Sequence, residues 1–217
     1  MSSPVRPFSL VCLTCLAIAG ALSGGCLPKP NTLATRSYVL SPLSTPPSDA
    51  IAGPAIGIGV VRMPAYLLKP SIAVRSGTNE IHYLESSIWA ERLDTTFQRA
   101  LAANLAAQVP TDRIRIGSWS GDEVDRAVYV SVDRFDVDTN GTGTLQAWWR
   151  LTAGGGDPIL RYGNPRLTES GPAPAEHPEA IASTLSRLAE RLAEAIAEAI
   201  RASVSPRAPA AQEPLAQ

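Results

Sequence analysis

Two stretches of this chain repeat apolar residues at steps of three and four, and several shorter ones alternate them at steps of two. Between Ser86 and Val109, Trp89, Leu93, Phe97, Ala100, Leu101, Asn104 and Leu105 fall on one stripe, the signature of an amphipathic helix. Ser87 stands where an N-cap is wanted and Pro110 where the helix should stop. Between Pro178 and Val204 a second stripe runs through Ile181, Leu185, Leu188, Leu192, Ile196 and Ile200, with alanine on its shoulders. Its polar face places Arg187, Glu190, Arg191 and Glu194 at spacings that predict ion pairs within the helix. Because glutamate accompanies arginine on these polar faces, the helices read as packing on a sheet and not as elements lying on a membrane.

The step-of-two segments predict strands. Arg126–Asp138 and Thr142–Ala153 are long ones, joined by TNGTG, which has hairpin-turn composition. In the second, Leu145, Ala147, Trp149 and Leu151 alternate with Thr144, Gln146, Trp148 and Arg150, as a half-covered sheet requires. Short strands are expected at Ser37–Ser41, Ser71–Arg75, Glu80–Leu84, Arg113–Ile116 and Ile159–Leu167, with a turn at Ser76–Asn79. Ile56–Met63, IGIGVVRM, reads as a buried strand in which Gly57 and Gly59 allow close backbone approach. The order strands, helix, strands, helix predicts an α+β domain: a mixed, mostly antiparallel sheet with two amphipathic helices packed on one face.

The N-terminal residues add a location. Arg6 is the only charge among the first 26 residues; an apolar run from Phe8 to Leu22 follows, then Ser23, Gly24, Gly25 and Cys26. This is the layout of a secretory signal, too short to be an ordinary transmembrane helix. Cleavage would leave Cys26 first, an arrangement that resembles the bacterial lipobox, although Leu22 lies one place earlier than the usual leucine. The alternative is a secreted protein in which Cys26 is incidental. Residues 1–25 are therefore expected to be a lipoprotein signal peptide, 26–36 a lipidated tether, 37–204 the folded domain and 205–217 a disordered tail. Leu27, in place of an aspartate, favours the outer membrane over retention in the inner one.

Composition mostly excludes. The net charge is −1, with no clustered basic face to suggest nucleic acid. Cys26 has no cysteine after it, so neither a disulfide nor a thiolate metal site is available to the mature domain. His82 and His177 stand apart from any ligand or catalytic set, and no nucleophile elbow is present. Gly154–Gly156 before Asp157-Pro158 reads as a turn, not a phosphate loop. Asp133, Asp136 and Asp138 lack an EF-hand pattern and read as solvated strand-edge carboxylates. No catalytic residue, cofactor or metal is assigned. Trp148, an aromatic ring on the polar side of its strand, is a candidate for an interaction face.

The stretch Met63–Leu105 carries Pro64-Ala65-Tyr66-Leu67, Pro70, Ile72, Arg75, Asn79, Trp89-Ala90-Glu91, Leu93 and Asn104-Leu105. Tyr38-Val39-Leu40 precedes it, and a hairpin with a Trp-rich strand and a C-terminal helix follow. This pattern resembles the auxiliary lipoproteins of ABC-type intermembrane transport systems, the group that includes the Pqi lipoprotein. The resemblance runs from about Ser37 to Val204. It implies a non-enzymatic lipoprotein on the periplasmic face of the Gram-negative outer membrane, with an MCE-domain protein as partner. Through that partner it implies an inner-membrane permease and ATPase, and a homo-oligomeric ring. Tyr66, Leu67, Leu68 and Pro70 are, with Trp148, the candidate contact residues; the alternative for the 66–70 segment is a core-packing strand edge, and Arg75 and Glu91 could form a structural ion pair. Other readings are a structural or assembly lipoprotein of the envelope and a lipoprotein hydrolase.

Overall fold

A computed structural model describes residues 34–45, 53–109 and 111–204; the signal segment, Cys26, most of the tether, Pro110 and the tail 205–217 lie outside the described residues. The domain is organised by two long antiparallel strands, β6 (Arg126–Asp138) and β7 (Thr142–Ala153). Their hairpin turns at Gly141, whose φ of +89 is a left-handed conformation that glycine adopts without strain. Asp138 steadies the turn by accepting hydrogen bonds from the Asn140 and Thr142 amides, each 2.9 Å.

Shorter strands fill both outer edges of this pair. Parallel to β6 run β2 (Ile56–Ile58) at one end and β3 (Ser71–Arg75) at the other. Beside β7 run β8 (Ile159–Gly163) and β9 (Arg166–Ser170), both antiparallel to it. The sheet continues from β3 through β4 (Ile81–Trp89) to β1 (Arg36–Tyr38), and from β2 to β5 (Ile114–Ile116). It is a nine-stranded mixed sheet in which most paired residues are antiparallel. With α1 (Leu93–Gln108) and α2 (Glu179–Val204) packed on it, the fold is α+β, as the alternation of patterns implies.

The helical stripes define the core. Leu93, Phe97, Leu101 and Leu105 of α1 and Ile181, Leu185, Leu188, Leu192, Ile196 and Ile200 of α2 are all buried. They meet Val128, Val130, Phe135, Leu145 and Leu151 of the central strands in one cluster. The Phe97 and Phe135 rings pack edge to face, 5.1 Å between centroids. The chain from Ser41 to Ser44 is tied across both helices. The Ser41 amide donates to Ser186 Oγ (3.1 Å), the Leu43 and Ser44 amides to Asn104 Oδ1 (3.0 and 3.3 Å), and Ser44 Oγ to Glu190 (2.8 Å).

Several boundaries differ from the sequence reading. The first helix begins at Leu93, not Ser86, and Ser87 is a buried residue of β4 and no N-cap. Residues up to Trp89 stay extended because β4 is paired on both sides, by β1 and β3, which satisfies more backbone groups than an early helical turn would. The segment Ile159–Leu167 is two strands, since Pro165 supplies a carbonyl to Ala147 but no amide to the ladder. Beyond Ile58 the IGIGVVRM segment leaves the ladder and returns to it through a single bridge, Arg62 to Ser131. Arg187 and Arg191 ion-pair with Glu169 of β9, at 2.8 and 3.6 Å, so the polar face of α2 reaches the sheet edge instead of closing on itself. Glu91 pairs with Arg99, and Arg75 does not meet it.

Candidate functional site: the helix-free face of the sheet

The helices cover one face of β6 and β7, and the register decides what the other displays. Residues directly opposite each other in an antiparallel pair project to the same side. Val130 opposes Trp149 and Val128 opposes Leu151 on the covered side; Tyr129 opposes Arg150 and Ser131 opposes Trp148 on the open side. Tyr162 of β8 lies opposite Arg150, and Arg62 is bridged to Ser131. Two cross-strand rows result: Tyr129, Arg150, Tyr162 and Arg62, Ser131, Trp148.

These rows border an open groove of about 580 Å³, which Val60, Ile159, Val130 and Trp149 also line. Trp148 is 52% exposed, Ile159 53%, Val60 71% and Tyr162 76%. Singly exposed apolar residues are ordinary; here four large ones gather around one groove, which makes it the candidate interaction site. The Arg150 guanidinium stacks on the Tyr129 ring, 4.6 Å from its centroid. Tyr129 in turn lies 6.2 Å from Trp119, which covers Gly57. A Cβ on Gly57 would come within 2.5 Å of Trp119, and one on Gly59 within 2.7 Å of Tyr129. The two glycines thus let aromatic rings lie flat on the strand, the close approach that their alternation with apolar residues implies.

A second constellation lies toward the turn end of the same face. Asp136, read from sequence as a solvated carboxylate, has no exposed side-chain surface. It accepts hydrogen bonds from Arg75 Nη2 (2.7 Å), Arg134 Nε (2.9 Å) and the Tyr66 hydroxyl (2.9 Å). Two arginines and a phenol satisfy a carboxylate that water cannot reach. Burial, reinforced by the neighbouring Asp136 charge, pushes the Tyr66 phenol up to about 12. The Asp136 hydrogen bond likewise raises Arg75. Asp133 remains exposed and Asp138 serves the turn, so three aspartates in one strand have three different roles.

The residues singled out from sequence separate accordingly. Residues Ala65–Leu68 form a 3₁₀ turn, in which Leu67 is buried in the core and Leu68 and Tyr66 are partly buried; Pro70 is exposed. Tyr66 is drawn to Asp136 and Trp148 to the groove, so the five are not brought into one surface. The groove's other members, Val60, Arg62, Tyr129, Arg150, Ile159 and Tyr162, had no motif to announce them. A signal exists nonetheless. Apolar alternation runs Val128, Val130, Val132 and then skips to Phe135 and Val137, and a register shift between Val132 and Arg134 lies at that break. His82 and His177 are exposed, the latter 3.1 Å from Glu179. Among the described residues no three or more His, Cys, Asp or Glu converge as a metal site. Chemically, the groove offers apolar contact, aromatic stacking and two guanidinium groups.

Comparison with known proteins places this fold. A protein of known crystal structure with no assigned role is 18% identical, with a TM-score of 0.59 over 77% of this chain and 99% of its own. Protein XCC0632 from Xanthomonas campestris is 14% identical, with a TM-score of 0.58 over 77% of this chain and 98% of its own. At such identities the likeness bears on the fold alone. No curated protein matches the chain. The family described as the ABC-type transport auxiliary lipoprotein component matches residues 38–197, from the last residue of β1 through most of α2. The chain belongs to that family: it is an auxiliary lipoprotein of ABC-type transport.

Proposed function

We propose that this protein is the outer-membrane lipoprotein of an MCE-type ABC intermembrane lipid transport system, non-enzymatic, anchored through Cys26 and docking the periplasm-spanning MCE protein. Cys26 holds residues 27–36 as a tether, the domain 37–204 stands off the membrane, and the MCE protein links it to the inner-membrane permease and ATPase. Several acyl chains at about 0.8 kcal/mol per buried methylene make such an anchor effectively permanent.

The observation that carries the reading is the groove bordered by Trp148, Tyr162, Ile159 and Val60 on the helix-free sheet face of a transport-family domain. Aromatic residues and arginine concentrated at one place are what the centre of a protein interface requires. Of the five contact candidates, Trp148 keeps that role. Leu67 has a core role instead, and Tyr66 braces the turn that carries it.

Copurification tests this directly. Full-length protein extracted in mild detergent should bring down an MCE-domain protein, and Trp148→Glu together with Tyr162→Glu should abolish recovery. Cys26→Ala should release the protein from the outer membrane while leaving the pair intact in solution. Failure to recover any MCE protein with the wild type would overturn the reading.

A further inference from the structure

The two arginines of the groove are not neutralised by the protein itself. Neither Arg62 nor Arg150 meets a carboxylate among the described residues, although arginines 75, 92, 99, 134, 187 and 191 all do. Arg150 is held in place by stacking on Tyr129, which orients the guanidinium without neutralising it. No residue lining the groove is acidic, while Val60, Trp148, Ile159 and Tyr162 give it apolar walls. A cavity of this volume lies in the range that binds small amphiphilic or drug-sized molecules, about 300–1,000 Å³.

We infer that the groove binds an anionic phospholipid, its phosphate taken by Arg62 and Arg150 and its acyl portion by Trp148, Ile159, Tyr162 and Val60. Guanidinium groups match phosphate oxygens in a bidentate fork, and the apolar walls match a hydrocarbon chain. An acidic peptide is the weaker fit. The groove lies on the face of the sheet, where the β6 and β7 backbones are already paired with each other, so an extended chain could not add main-chain hydrogen bonds there. This inference rests on the transport reading of the same face. It makes the lipoprotein a handler of cargo at the joint with its partner, and not only a dock.

The test is binding of short-chain, water-soluble dihexanoyl phosphatidylglycerol to the full-length protein held in phosphatidylcholine nanodiscs, followed by calorimetry and tryptophan fluorescence. Saturable binding is expected, about tenfold or more tighter than for dihexanoyl phosphatidylcholine. Arg62→Gln with Arg150→Gln should erase that preference, and Arg62→Lys with Arg150→Lys should retain most of it. Trp148→Ala should weaken both lipids alike. An unchanged thermal midpoint shows each variant to be folded, and Arg161→Gln on the neighbouring strand serves as a control. Equal binding of the two lipids, or a preference that survives loss of both guanidiniums, overturns the inference. If the MCE protein copurifies through Arg62 and Arg150 while no phosphatidylglycerol binds, docking stands and the lipid site falls. If the lipid binds but no MCE protein is recovered, the lipid site stands and the docking reading falls.

Discussion

Asp136→Ala removes the carboxylate at the centre of the clasp and leaves Arg75, Arg134 and the Tyr66 hydroxyl facing an apolar methyl group. Truncating one partner of a buried ion pair costs about 3–5 kcal/mol, because the remaining charge stays poorly solvated. Here the arginine side chains retain 17% and 24% of their exposed surface, so each can turn partly to water. That moves the figure to the lower end, about 3 kcal/mol, or roughly 6–12 °C in melting temperature for a domain of this size. Circular dichroism melts of the wild type, Asp136→Ala and Asp133→Ala measure it. Asp133 lies on the same strand but is exposed, so its replacement should change stability by no more than about 0.5 kcal/mol. Replacing Arg75 and Asp136 together by methionine and leucine should recover only part of the loss, since Arg134, 24% exposed, still lacks its carboxylate. If Asp136→Ala and Asp133→Ala behaved alike, the clasp would not hold the 3₁₀ turn to the sheet and the reasoning from burial would be wrong.

Asn104→Ala deprives the Leu43 and Ser44 amides of their acceptor, and urea denaturation should show a loss of about 2 kcal/mol, the low end of about 1–3 kcal/mol for each of the two groups because exposed Leu43 can turn its amide to water. Gly57→Ala must displace Trp119, so near-ultraviolet circular dichroism and tryptophan emission should change while the far-ultraviolet spectrum does not. Because the Tyr66 phenol is raised from 10 to about 12, its contribution is complete below its unfolded value and lost as pH rises through the folded one. Wild-type stability should therefore fall between pH 10 and 12 more steeply than that of Tyr66→Phe, as read from urea midpoints.

Much of the scaffold was legible in the chain because it rests on short-range periodicity. The boundaries of β6, β7 and β3 and nearly all of α2 follow from alternation, turn glycine and a continuous stripe. The start of α1 did not, since residues 86–89 are extended only through pairing with strands nearly twenty and fifty residues upstream. The candidate site was legible only in Trp148. Extending the hairpin register from the turn without a bulge would set Ser131 against Trp149 and turn Ser131 and Tyr129 toward the helices, while Trp148 would stay on the open face by the unbroken alternation of β7. The one-residue shift between Val132 and Arg134 sets Ser131 against Trp148 and so brings Ser131 and Tyr129 to the open face beside it. The role of Asp136 was hidden for a related reason: its partners Tyr66 and Arg75 are about sixty to seventy residues away and are joined to it only by the parallel pairing of β3 with β6.

Site-specific photocrosslinking in living cells tests the central claim most directly. A photoreactive amino acid at position 162, beside the groove, should form an adduct with an MCE-domain protein, whereas the same group in place of Glu198, exposed on α2, should not. An MCE adduct from position 198 but none from position 162, or none from either, would contradict the account.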